Sequence, residues 1–170
     1  RQFLKRKSNY PAITADTGIS EDYLKILNRM VNSYAVKKKP LDTIGVFTGE
    51  ELKNLGDIQI KDSEQYYNAL IPDKNMERIA AKTHIPPDKL DYALHIVDLL
   101  RINGVGEQYA KMLYAIGVRS VRDYNSTPSE TILNGINDLN RNGNYSKATL
   151  GLSDINYCRR FCEKLDCEIE

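Results

Sequence analysis

The 170-residue sequence has no tryptophan, only two histidines, and no long apolar run. No stretch approaches the roughly 18–20 apolar residues that a bilayer-spanning helix needs, so we expect no membrane span in this segment. His84 and His95 stand alone, eleven positions apart, the first at a predicted turn between helices and the second in a predicted apolar helix. Capping or partial burial therefore accounts for both histidines better than metal binding or proton transfer.

The three cysteines lie close together near the carboxyl end, as Cys158, Cys162 and Cys167. Their odd number does not fit a disulfide scaffold, and a zinc site would need a fourth ligand. We therefore predict packed, reduced thiols, no metal, and a cytoplasmic protein. The sequence begins at Arg1 and not at a methionine, so we expect a trimmed product that a signal or anchor could precede.

Motifs that carry chemistry are also missing. There is no P-loop, dinucleotide fingerprint or nucleophile elbow, so we predict no cofactor and no catalytic residue.

Charge is unevenly distributed, with nine Lys or Arg against three acids in residues 1–40 and fifteen against twenty in residues 41–170. Basic clusters of this kind contact nucleic acid or another anionic surface, or they are solvated chain ends.

An internal repeat organises the chain. At an offset of 58 residues, Ile44, Leu55 and Tyr66 align with Ile102, Leu113 and Tyr124, and at an offset of 66 the segment ITADTGISEDYL aligns with IAAKTHIPPDKL. Apolar residues recur at helical spacing and no segment alternates as a strand would. We predict an all-α fold with two related repeats: a basic arm (1–12), a degenerate first repeat (13–78), and a second repeat with carboxyl-terminal helices (79–170).

Local signals place several helix boundaries. Thr48-Gly-Glu-Glu51 fits a capping box, and Ser120-Val-Arg-Asp123 is a looser version of it. The stretch from Asn134 to Asn144 is rich in asparagine and glycine, which predicts that one helix ends there and a loop follows.

The stretch INGVGEQYAKMLYAIGV contains two glycines directly before a predicted helix. Gly104 can adopt a positive φ, Gly106 allows close approach of a ligand, and Val105 is expected to point inward. Backbone amides left unpaired at a helix start can bind one phosphate. The same turn can equally be a packing element that binds nothing.

This stretch resembles the helix-hairpin-helix motif of sequence-independent DNA-binding proteins. The longer pattern, from T-x-I-x-x-D-x-L through DLLRINGVGEQYAKMLYAIGVRSVRDY to TPSETILNGINDLN, resembles the family called domain of unknown function 4332, which is itself related to helix-hairpin-helix proteins. The resemblance implies a helical bundle of the SAM or helix-hairpin-helix kind. It also implies that a DNA backbone would contact Gly104, Val105 and Gly106, with Lys111 and Arg101 beside them.

Two departures bear on that implication. The first repeat has Val46 and Thr48 where the second has Gly104 and Gly106, and residues 41–67 carry six acids against two lysines. A glycosylase-like acid would be sought at Asp123, but helix capping explains that residue. We therefore predict a non-enzymatic module that binds nucleic-acid backbone weakly through residues 104–106. The alternative is a protein-interaction or scaffold protein in which both hairpins are structural.

Overall fold

The computed structural model describes residue 4 and residues 6–71, 75–143 and 150–169. Its described part is helical and contains no strand, which confirms the predicted all-α class. Two short 3-10 helices cover Lys7–Asn9 and Leu41–Ile44. The α-helices are α1 (Tyr10–Thr17), α2 (Glu21–Ser33), α3 (Gly49–Asp57), α4 (Ser63–Leu70), α5 (Asn75–Thr83), α6 (Pro87–Leu99), α7 (Glu107–Ala115), α8 (Val121–Ser126), α9 (Ser129–Gly143) and α10 (Leu152–Cys162).

The chain forms two compact units, residues 1–36 and 37–170. In the first unit, α1 packs on α2, and Tyr10 and Leu24 are buried. Gly18 ends α1 in the left-handed conformation, with φ of 71°, and the Ser20 side chain then caps the first turn of α2. Of the predicted basic arm, Arg1 and Lys5 lie outside the described residues.

The second unit is built around α6, which packs on α4, α5 and α7. Nearly the whole length of this helix is buried, and seven of its residues have almost no contact with solvent: Leu90, Ala93, Leu94, Ile96, Val97, Asp98 and Leu99. One continuous apolar core runs from Leu41 in the first predicted repeat to Cys162 in α10. Both hairpins therefore belong to one core.

Capping residues mark the helix starts. Thr48 and Glu51 form the predicted capping box at α3, and the Ser120 side chain accepts a hydrogen bond from the Asp123 amide at α8. A second box, between Asp62 and Gln65, starts α4. Each cap satisfies amides that the first helical turn leaves without a partner.

Helix boundaries recur at the two offsets of the predicted repeat. α2 and α6 both have thirteen residues and begin 66 residues apart, while α3 and α7 both have nine residues and begin 58 apart. The proposed boundary between the repeats, at residues 78 and 79, lies inside α5. The division into an arm and two repeats stays a prediction.

The loop predicted from Asn134 onward is wrong for residues 134–143, because α9 continues through them to Gly143. Ile132 and Ile136 are buried and Leu139 packs against the core. Apolar contacts at helical spacing outweigh the weak helix propensity of the intervening asparagines and glycines. Asn144, the last residue of the predicted loop, lies outside the described residues.

A buried carboxylate connects the end of α6 to three other segments. Asp98, 1% exposed, accepts hydrogen bonds from the Val121 amide and from Arg101 Nη1, both at 2.7 Å. Burial raises the pKa of this carboxyl, although both donors oppose the shift. Arg101 in turn stacks on the Tyr67 ring, 4.3 Å from its centroid, bonds the Tyr67 hydroxyl, and donates to the Asp166 carbonyl at 3.1 Å. We call Asp98, Arg101, Tyr67, Val121 and Asp166 the Asp98 node.

We predict that Asp98→Ala lowers the free energy of unfolding by about 3–5 kcal/mol, because the buried Val121 amide and the partly buried Arg101 guanidinium would both lose their shared acceptor. Chemical denaturation followed by circular dichroism measures this loss. Asp91→Ala on the same helix is the control. Its carboxylate is 55% exposed and lies 3.5 Å from His95, so its removal should cost less than about 1 kcal/mol. Equal losses in both variants would contradict the role of the node.

Candidate functional site

The predicted hairpin site lies between α6 and α7. Gly106 is the N-cap residue of α7, and Val105 is buried, pointing inward as its place in the motif predicts. The Val105 amide donates to the Ile102 carbonyl at 3.1 Å. The Val105 amide therefore already has a hydrogen-bond acceptor within the turn.

Gly104 is held by both conformation and space. Its φ is +98°, a region that side-chain-bearing residues rarely adopt. A Cβ atom at this position would lie 2.8 Å from Cys158 Sγ and 3.5 Å from ring carbons of Tyr157, both on α10. The close approach expected at Gly106 is thus found at Gly104, and it is made by a helix of the same chain.

Gly106 differs on both counts. Its φ of −95° and ψ of 174° are an extended conformation open to any residue, and no atom lies within 4 Å of a Cβ built there. The turn itself does not require glycine at this position. The open space in front of α7 could admit a ligand or an ordinary side chain.

An ion pair lies at the start of α7. Lys39 Nζ is 2.7 Å from Glu107 Oε1, and this hydrogen bond holds the pKa of the Glu107 carboxyl below its usual value. The carboxylate stands at the helix N-terminus, where the macrodipole favours negative charge and where a bound phosphate would also stand. A phosphate bound here would be repelled by the Glu107 carboxylate.

The two flanking cations also bond within the chain. Lys111 Nζ donates to the Gly45 carbonyl of the first hairpin at 3.1 Å. Arg101 belongs to the Asp98 node, and its side chain is 12% exposed. The five residues predicted as a nucleic-acid site thus include one buried side chain, Val105, one partly buried guanidinium, Arg101, and one lysine that connects the two hairpins.

Sequence reasoning missed the partners of the hairpin. Lys39 is separated from Glu107 by 68 positions. Cys158 and Tyr157 come from the last helix. The local sequence carries no signal for these pairings, because only the packing of the helices brings them together.

The other reactive groups have structural partners. Cys162 Sγ donates to the Val121 carbonyl at 3.1 Å, and burial raises the pKa of its thiol to about 12. Asp123 Oδ2 accepts from the Arg119 amide at 2.9 Å, as a capping residue does. Burial raises the pKa of Tyr109 to about 12, and its hydroxyl lies 3.3 Å from that of Tyr124.

Space and ligands for a bound group are limited in the described part of the chain. It contains no group of three or more His, Cys, Asp or Glu arranged to hold a metal ion. A cavity of about 160 Å³, lined by residues that include Ile58, Ala69, Arg78 and Lys82, is smaller than the roughly 300–1,000 Å³ of small-molecule sites. No helix among the described residues is both long and apolar enough to cross a membrane.

The first unit carries an exposed apolar surface on α2. Tyr23, Ile26 and Met30 lie at helical spacing on α2, Ile19 and Tyr34 lie just before and just after the helix, and all five side chains are between 38% and 56% exposed. We call this set the α2 stripe. Contiguous exposed apolar surface of this kind marks interaction sites more often than chance exposure of single residues does.

Comparison with known families gives one match. The family model of a domain of unknown function, DUF4332, matches residues 43–164. Comparisons with curated proteins and with solved structures found no similar protein.

The two glycines of the hairpin predict opposite responses to the same substitution. Gly104→Ser should lower the free energy of unfolding by about 2–4 kcal/mol, because serine must adopt a positive φ and displace Cys158. Gly106→Ser should change it by less than about 0.5 kcal/mol, because serine is a good N-cap residue and its side chain meets no atom. Thermal and chemical denaturation of the matched pair check this. A destabilised Gly106→Ser protein would contradict the geometry.

Proposed function

The chain belongs to the DUF4332 family, and we propose that it is a non-enzymatic protein-interaction module in which both hairpins are folding elements. The observation that carries this proposal is the exposed α2 stripe. Tyrosine and methionine are enriched at protein interfaces, and the stripe contains two tyrosines and one methionine.

Comparison of α2 with α6 indicates what kind of surface covers the stripe. At the repeat offset of 66 residues, Ile19, Met30 and Tyr34 correspond to Ile85, Ile96 and Leu100. These three equivalents are buried, whereas the stripe residues are exposed. The same face is therefore a packing surface in one copy and carries exposed side chains in the other.

The α6 face is covered by neighbouring helices. Tyr92, the counterpart of Ile26, packs edge-on against Tyr114 of α7 with ring centroids 4.8 Å apart. Lys89, the counterpart of Tyr23, forms an ion pair with Glu51 of α3 at 2.7 Å. Helical protein surface is thus the kind of partner that this face accepts elsewhere in the chain.

The hairpin contacts support the structural half of the proposal. Gly104 packs on α10, Glu107 pairs with Lys39, and Lys111 joins the second hairpin to the first. These groups stabilise the fold through contacts inside the chain. We therefore expect that replacing any of these residues lowers the stability of the fold more than it weakens binding to an outside partner.

Site-specific photo-cross-linking in cells tests the proposal. A photoreactive residue replacing Met30 should give a covalent product with protein, and nuclease treatment should leave the product unchanged. The same residue replacing Lys25, which lies outside the stripe, is the matched control and should give little product. Equal yields from both positions, or products that nuclease removes, would contradict a protein-binding stripe.

The open space at Gly106 favours a second candidate function, weak and sequence-independent binding of nucleic-acid backbone. Two or three neutralised phosphates would give a salt slope of roughly −2 to −3 and dissociation constants of about 10⁻⁴–10⁻⁶ M. Lys111 and the amides at the start of α7 would be the contacting groups. Gly104 would then act only by shaping the turn.

A pair of Gly106 variants tests this second candidate while preserving the helix cap. Asparagine and aspartate are both good N-cap residues, so both proteins should fold. If the hairpin binds phosphate, Gly106→Asp should weaken duplex DNA binding at least about tenfold relative to Gly106→Asn, through repulsion between like charges. Fluorescence anisotropy at low salt measures this. Equal affinities for the two variants would exclude the hairpin as the DNA contact.

A further inference from the structure

We propose that the partner of the α2 stripe is the α2 stripe of a second copy of this chain, packed antiparallel across a two-fold axis beside Ile26. This inference rests on the proposed protein-interaction function and names the partner. In a two-fold interface the same surface patch meets itself, so the patch must be complementary to its own reversed order.

The order of side chains along the stripe meets that requirement. Tyr23 lies three positions before Ile26 and Met30 lies four positions after it, and all three residues are on α2. An axis near Ile26 therefore places Tyr23 opposite Met30 of the second copy. One residue of mismatch is only about 1.5 Å along a helix, which side chains can accommodate. Sulfur–aromatic contact between Tyr23 and Met30 is favourable.

The charged residues beside the stripe have the same symmetry. Asp22 lies four positions before Ile26 and Arg29 three positions after it, so both are its neighbours on the helix surface. Because they are seven positions apart, they lie on the same edge of the stripe. The axis brings Asp22 of each copy opposite Arg29 of the other, giving two ion pairs. In the single chain, Asp22 pairs with Lys25 in an exposed contact at 2.8 Å.

Size and net charge determine how tight such a dimer is. The formal net charge is +1, but residues 1–40 carry nine Lys or Arg against three acids, so the two amino-terminal parts repel each other and added salt should tighten the dimer. α2 has thirteen residues and is thus about 20 Å long, so one helix face per copy buries less than the roughly 1,200–2,000 Å² of a standard interface. We therefore expect a reversible dimer with a dissociation constant on the order of 100 μM.

Sedimentation velocity of the full chain, from about 10 to 500 μM, tests the dimer across the expected dissociation constant. Ile26→Glu, which places a charge beside the axis, should weaken dimerisation at least about tenfold. Asp22→Arg or Arg29→Asp alone should weaken it at least about threefold, and the double variant should restore wild-type affinity to within about twofold. Glu21→Lys changes the charge equally on the opposite face of α2 and should have no effect.

Three other outcomes would contradict the dimer, and they differ in what they imply for the proposed function. If the chain stays monomeric at 500 μM while the Met30 cross-linker captures a different protein, the dimer is wrong and the interaction function stands. If the charge reversals do not compensate each other, the antiparallel arrangement is wrong. If Ile26→Glu instead lowers the melting temperature of monomeric protein, the chain itself covers the stripe, and both proposals fail.

Discussion

The buried carboxylate of Asp98 is the interaction on which the second unit depends. The Asp98 side chain accepts hydrogen bonds from the first amide of α8 and from the guanidinium of Arg101. Arg101 then reaches Tyr67 on α4 and the carbonyl of Asp166 near the carboxyl end. A buried charge of this kind must have its partners, because an unpaired charge in the interior costs several kcal/mol. Because Asp98 and Arg101 need these partners, segments from both predicted repeats are held in one arrangement around α6.

That arrangement determines what the hairpin can offer to a ligand. With α10 packed over the turn, Cys158 and Tyr157 occupy the space beside Gly104. Lys39 and Glu107 neutralise each other at the start of α7, and Lys111 bonds to the first hairpin. The charged side chains beside the hairpin therefore each have a partner within the chain. Exposed large apolar side chains occur instead on α2, whose counterpart α6 lies inside the core.

Several features of the fold could be predicted because they depend on neighbouring residues. The capping box of Thr48 and Glu51 and the cap at Ser120 are local hydrogen bonds, so the sequence motif was sufficient to place them. The loop predicted at residues 134–143 failed because burial of Ile132 and Ile136 overrode local propensity. The sequence likewise indicated helical spacing along α2. It did not indicate whether another surface covers α2, because the spacing of apolar residues predicts an apolar face but not what packs against that face.

The sequence by itself determined the all-α class, the caps at the starts of α3 and α8, family membership, and the inward position of Val105. Each of these follows from side-chain periodicity, from capping chemistry, or from an ordered motif within a few tens of residues. Only the tertiary structure decided that the Arg101 guanidinium is partly buried, that Lys39 meets Glu107, and that α10 packs beside Gly104. These facts depend on pairs of residues that are distant in the chain. Their proximity arises from packing of the whole core, which no local pattern encodes.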